Sequence, residues 1–181
     1  MSDNSHTSIL ENEGVMDTLK NKNFPNISLP NQDGNLLNLH RIDTFRMVLY
    51  FYPMTGRPDR PLPDNWNNIP GAKGCTIQAC SFRDNYDEII SLNAVPIGIS
   101  SQSVDDNKEM TSRLKVPYDV LSDEKLELSN ELNIPTFLVD SKIFLRRITL
   151  IVEKKIIKKV FYPINDINKH IEEVLKWLKQ N

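Results

Sequence analysis

Met47-Val48-Leu49-Tyr50-Phe51-Tyr52 is an unbroken apolar and aromatic run that stops at Pro53. Such a run has no polar face to offer to water, so it reads as a central strand buried on both sides. A strand of that kind needs cover above and below, which restricts the chain to an α/β arrangement. Val95 to Ser100 predicts a second buried strand, and Tyr118 to Leu121 a short third. The spacing of Ile77, Phe82, Tyr86 and Ile89 predicts a helix from Cys75 to about Leu92, and two more are expected over Val104 to Lys115 and Glu124 to Leu132. Upstream, Ile27 and Leu29, the turn residues Gln32-Asp33-Gly34-Asn35 and the run Leu36 to Leu39 predict a small β-hairpin.

The C-terminal third reads as an antiparallel meander, with Phe137 to Val139, Phe144 to Val152 and Ile156 to Tyr162 as its strands. Asp166 to Lys179 closes the chain as a helix, with Ile167, Ile171, Val174, Leu175 and Leu178 on one stripe and an acidic residue in its first turn. Residues 1–20 show only a weak helical pattern at Val15 to Leu19 and are assigned to a tail; 21–181 form a single domain. The expected fold is a mixed central sheet flanked by helices, with an N-terminal β-hairpin and a long loop, Met54 to Gly74, before the helix at Cys75. That loop carries Pro58, Pro61, Pro63 and Pro70, and Trp66 and Ile69 give it apolar groups with which to order itself.

The chain has 181 residues, of which 39% are hydrophobic, enough to build one core without covalent staples. Its two cysteines are therefore not structural necessities. A net charge of −2, with basic residues interspersed among acidic ones, offers no field for nucleic acid or an anionic membrane. No stretch approaches the roughly eighteen apolar residues of a membrane span, and no cationic leader precedes an apolar run, so a cytoplasmic setting is expected. A reducing compartment would keep both thiols reduced between turnovers.

Those thiols stand in Gly74-Cys75-Thr76-Ile77-Gln78-Ala79-Cys80, where the expected helix begins. A sulfur at a helix N-terminus faces unpaired N–H groups and the positive end of the helix dipole, both of which favour the thiolate anion. Five residues along an intact helix rise about 7.5 Å, whereas a disulfide wants its Cα atoms within roughly 4.4–6.8 Å. The pair can bond only if the first turns unwind. Two other readings stand beside this one. The thiols can be small buried apolar groups, or zinc ligands, although His6, His40 and His170 lack ligand spacing to them.

Phe51-Tyr52-Pro53, the segment Gly74 to Asp84 with its two cysteines and Phe82-Arg83-Asp84, Leu121-Ser122-Asp123 and Arg147-Ile148-Thr149-Leu150 together resemble a peroxiredoxin of the bacterioferritin-comigratory, or peroxiredoxin Q, type. The resemblance covers about Phe24 to Leu178 and implies a thioredoxin-like fold. It also implies a thiol-dependent peroxidase that needs no cofactor, metal or catalytic histidine. Cys75 would be the peroxidatic cysteine, attacking a hydroperoxide oxygen and becoming a sulfenic acid. Cys80 would be the resolving cysteine, closing an intramolecular disulfide that a thioredoxin-like dithiol reopens. Resolution within one chain suits a monomer or a homodimer alike.

Arg147 is the arginine that the Arg-x-Thr pattern selects to stabilise the thiolate and hold the peroxide. Strand alternation puts Arg146 and Arg147 on opposite faces, with Arg147 away from Ile148, Leu150 and Val152. The chain departs from the family where a hydroxyl residue and a proline are usual before the cysteine; here stand Ala72 and Asn68. Thr55 or the backbone is expected to stand in for that hydroxyl. Lys73 is expected to be solvated, Trp66 to anchor the loop, and His40 and His170 to lie at the surface or at a helix edge. A protein disulfide oxidoreductase would separate its cysteines by two residues, not four. A non-catalytic redox sensor using the same cysteine switch remains the alternative to a peroxidase, and sustained peroxide consumption separates the two.

Overall fold

A computed structural model describes residues 14–181. A helix, α1, runs over residues 14–19. It is followed by the hairpin β1 (Ser28–Pro30) and β2 (Leu36–Asn38). The central strand β3 (Arg46–Phe51) is buried at every position, as its sequence requires. After the long loop come α2 (Cys75–Asp84), α3 (Tyr86–Ser91), β4 (Ala94–Ser100), α4 (Val104–Leu114), β5 (Val120–Ser122) and α5 (Glu127–Leu132). The chain finishes with β6 (Thr136–Val139), β7 (Lys142–Leu145), β8 (Ile148–Glu153), β9 (Ile156–Phe161) and α6 (Ile167–Gln180).

The main sheet has the order β5-β4-β3-β8-β9. β3, β4 and β5 are parallel, and β8 and β9 add antiparallel strands on the other side of β3. The alternating side chains of β3 feed two cores. Val48 and Tyr50 face Phe82, Ile89, Met110, Val174 and Leu178 from the helices α2, α3, α4 and α6. Met47, Leu49 and Phe51 face Leu19 of α1, Leu29 of the hairpin and Phe24 and Leu39 from the segments that flank it, with Leu128 and Leu132 of α5. Leu19 and Asn21 already engage the sheet, the latter by donating its backbone N–H to the Ile157 carbonyl at 2.8 Å. No helix among the described residues is long and apolar enough to cross a membrane.

Three expectations are corrected in detail. The helix expected from Cys75 to Leu92 breaks at Asn85, whose side-chain amide donates to the Ser81 carbonyl at 2.8 Å and competes with the regular ladder. The helix expected from Glu124 starts only at Glu127, because buried Asp123 accepts from the Leu128 and Ser129 amides and Leu126 turns left-handed at φ 58°. The strand expected over Phe144 to Val152 is two strands in two sheets. β7 pairs with β6 and β8 pairs with β3, and the Pro135 carbonyl takes the Arg146 amide at 2.7 Å where the chain changes partner. Arg146 and Arg147 occupy that crossover and belong to neither strand.

Candidate active site

The loop from Met54 to Gly74 delivers α2 beyond the carboxyl end of β3, where open α/β sheets place their ligands. Trp66 is buried edge-on to Phe144, with ring centroids 4.9 Å apart, and tilts against Phe137 at 6.0 Å. These contacts tie the loop to the β6–β7 hairpin, and Trp66 is the anchor its sequence suggested. Gly74 then turns left-handed at φ +93° to start α2. A side chain there would meet the Cδ1 of Ile167 at 2.4 Å, so the missing Cβ lets the first turns of α2 and α6 touch.

Cys75 is the first residue of α2 and is only 3% exposed. Gln78 is the first amide bonded within the helix, to Gly74 O at 2.9 Å, which leaves the N–H groups of the opening turn free of helical partners. The Cys75 thiol lies 3.6 Å from the Ala72 carbonyl. Arg147 reaches it from the crossover between β7 and β8, with Nη2 at 3.2 Å from the sulfur. The same Nη2 donates to Lys73 O at 2.8 Å and Gly71 O at 3.3 Å, while Nη1 donates to the side-chain oxygen of Gln78. The guanidinium is thus fixed by three neutral acceptors and brings an uncompensated cation to the sulfur, since no carboxylate among the described residues pairs with it.

Arg147, Gly71 and Lys73 line an open depression of about 730 Å³, walled by Ile69, Phe137, Pro163 and Ile164. Cys80 lies farther along α2, half-buried, and both cysteines are free thiols. The Lys73 side chain is exposed, as expected; its carbonyl is the part that serves the site.

Thr55 does not stand in for the hydroxyl absent at Ala72. It is buried, and its hydroxyl donates to Gln102 Oε1 at 3.2 Å in a closed exchange with that amide. It borders another depression, between the start of the loop, the N-terminus of α4 and β7, which includes neither Cys75 nor Arg147. Ala72 itself is buried against Trp66 and Phe144.

His170 also departs from expectation. It is 1% exposed, lies edge-on between Phe82 and Phe161, and shares a 2.9 Å hydrogen bond with the Thr149 hydroxyl. Burial, and then the charge of Arg147, push its pKa down to about 4, so the ring is neutral at pH 7. His40 is half-buried, with a ring nitrogen 2.6 Å from the Phe24 carbonyl. Gln78 is the site residue that sequence reasoning passed over. Its only signal is its position one helical turn after Cys75 on the same face.

The Redoxin family model matches residues 19–175, which include every element of this site. Peroxiredoxin Q, chloroplastic, from Arabidopsis thaliana is 32% identical over 161 residues, covering 88% of this chain and 67% of that protein. The chain belongs to the Redoxin family and is of the peroxiredoxin Q type. The Populus jackii peroxiredoxin Q, also chloroplastic, is 31% identical over 156 residues. The chain spans just under two thirds of that relative's length, 65%. The Redoxin fold is shared with the crystal structure of peroxidoxin BcpB from Mycobacterium tuberculosis, at a TM-score of 0.74 and 22% identity, over 90% of this chain and 97% of that one.

Proposed function

We propose that the chain is a peroxidase that reduces hydrogen peroxide or alkyl hydroperoxides through Cys75. The observation that carries this reading is the unpaired guanidinium of Arg147 against the Cys75 sulfur at the start of α2. A thiolate there attacks one peroxide oxygen, the O–O bond breaks, and the electron pair leaves with the other oxygen, which takes a proton to become water or an alcohol. Negative charge moves from sulfur to the departing oxygen during this step. Arg147 Nη2 and the free amides of the first turn of α2 are donors that need no reorganisation to follow it.

Cys80 then attacks the Cys75 sulfenic acid. The S–S bond forms, the S–O bond breaks, and the hydroxyl leaves as water. A thioredoxin-like dithiol completes the cycle by exchange. The half-buried Cys80 on the same helix supports resolution within one chain.

The test is turnover with hydrogen peroxide, a thioredoxin and its reductase. The parent should consume peroxide continuously and Cys75→Ser should not, while Cys80→Ser should complete one turnover and stop as a sulfenic acid. Parent-like consumption by Cys75→Ser would overturn the assignment of the nucleophile. A disulfide joining two chains would overturn the intramolecular route, and a parent that oxidises once and stays oxidised would favour a redox sensor.

A further inference from the structure

The two halves of α2 are fastened to different parts of the molecule. The front half is held through Arg147, which binds the sulfur of Cys75 and the side chain of Gln78. The rear half rests on other groups. Phe82 is fully buried and stacks on Tyr50, with centroids 4.5 Å apart and planes 9° apart. Arg83 donates to the Leu114 carbonyl at the end of α4 at 2.7 Å. Between the halves, the buried Tyr118 hydroxyl donates to the backbone carbonyl of Ala79 at 2.9 Å.

That hydroxyl has one proton, and Ala79 takes it. The 3.0 Å contact between the Tyr50 and Tyr118 hydroxyls must therefore run from Tyr50 to the Tyr118 oxygen. Gly98 lets Tyr50 come this close, because a Cβ there would stand 2.7 Å from the Tyr50 oxygen. Tyr118 is a positioned donor backed by a second donor, aimed at the carbonyl immediately before Cys80.

We propose that Tyr118 is the stop for the unwinding of α2 that the Cys75–Cys80 disulfide requires. This rests on the reading of those cysteines as the peroxidatic and resolving pair. In an α-helix the amides of residues 79–82 bond the carbonyls of residues 75–78, whereas the Ala79 carbonyl serves the amide of Arg83. Releasing Cys75 to Gln78 frees the amides up to Phe82 and leaves the bond from Arg83 to Ala79 intact. Tyr118 holds the first carbonyl on the wound side of that boundary. Oxidation of Cys75 to a neutral sulfenic acid removes the charge that Arg147 attracts and loosens the front fastening, and Tyr118 is untouched by it. The turn carrying Cys75 therefore moves toward a Cys80 whose backbone stays in place.

The experiment is residue-resolved hydrogen exchange on the reduced and peroxide-oxidised full chain. Intact mass checks that oxidation removed two hydrogens by forming the bond within one chain. In the oxidised parent, the amides of Cys80, Ser81 and Phe82 should lose protection while that of Arg83 keeps it. In oxidised Tyr118→Phe, Arg83 should exchange about five- to tenfold faster than in the oxidised parent, with the two reduced proteins alike. Tyr50→Phe leaves the Tyr118 proton on Ala79 and should match the parent at Arg83.

Loss of protection at Arg83 in the oxidised parent, or its retention in oxidised Tyr118→Phe, would overturn the proposal. If Tyr118→Phe does not fold, the contrast between Phe82 and Arg83 in the oxidised parent still decides. Absence of the intrachain bond would instead overturn the cysteine pairing, and the proposal with it.

Discussion

The Arg147 guanidinium stands 3.2 Å from the Cys75 sulfur while gripping Lys73 O, Gly71 O and the Gln78 amide. One planar group thus fixes the loop before α2, the first turn of the helix and the charge at the sulfur together. A lysine has the charge without the fork.

Arg147→Lys should accordingly lower kcat/KM for hydrogen peroxide about 10²–10³-fold, the scale on which one positioned donor to a developing charge acts. Steady-state peroxide consumption measures it, and the rate of thiol alkylation against pH reports separately on the thiolate. A loss below about threefold would show that charge alone suffices and that the fork does not matter.

Gly74→Ala should destabilise the fold by about 2–4 kcal/mol, combining a left-handed alanine with an overpacked contact. The clash is with Ile167, whose Cδ1 lies where the new Cβ would go. Adding Ile167→Ala should recover the steric part and leave the backbone part. Urea midpoints of the two single variants and the double variant give the cycle. A double variant no more stable than Gly74→Ala would mean that the contact with α6 costs nothing.

His170 makes stability depend on pH. Its folded pKa, near 4, lies below the unfolded value of about 6.5. Between those values the unfolded chain binds more protons, so stability is full above about pH 6.5 and falls as the pH drops toward 4, by about 3 kcal/mol in all. His170→Gln should be less stable than the parent at pH 7 but show a flatter decline between pH 6.5 and 4. Urea unfolding across that range tests it; parallel curves would remove His170 as the cause.

Thr55→Val should leave peroxide turnover within about twofold of the parent while costing about 1 kcal/mol, because Gln102 loses a partner. A loss of activity far larger than the loss of stability would return Thr55 to the catalytic site.

Much of this architecture is legible in the chain because burial writes itself as pattern. The run at 47–52 reads as an inner strand, which β3 bears out over Arg46–Phe51, and Ile171, Val174, Leu175 and Leu178 mark the buried stripe of α6 as plainly. What escapes is what depends on partners distant in sequence. A strand pattern does not say which sheet it joins, so the crossover at Arg146 and Arg147 is invisible until β6 and β3 claim opposite sides of it. His170 falls within an amphipathic helix, and Thr149 on β8 with the rings of Phe82 and Phe161 gives it a reason to be inside. Gln78 looks like a solvated helical residue, because the cation that buries it lies 69 positions away. Thr55 misled for the complementary reason: its closeness in sequence to Pro53 says nothing of where Gln102 will draw it.

Gly74 gives the site a place in time as well as in space. Its bare backbone is the seat for Ile167 at the head of the last helix, and the cation that serves Cys75 arrives from 72 residues downstream. A ribosome that has released α2 has therefore made Cys75 but not yet the groups that surround it in the folded chain. Until the chain through Arg147 and Ile167 has been made and docked, Cys75 has neither the guanidinium beside its sulfur nor the helix that fills the gap at Gly74.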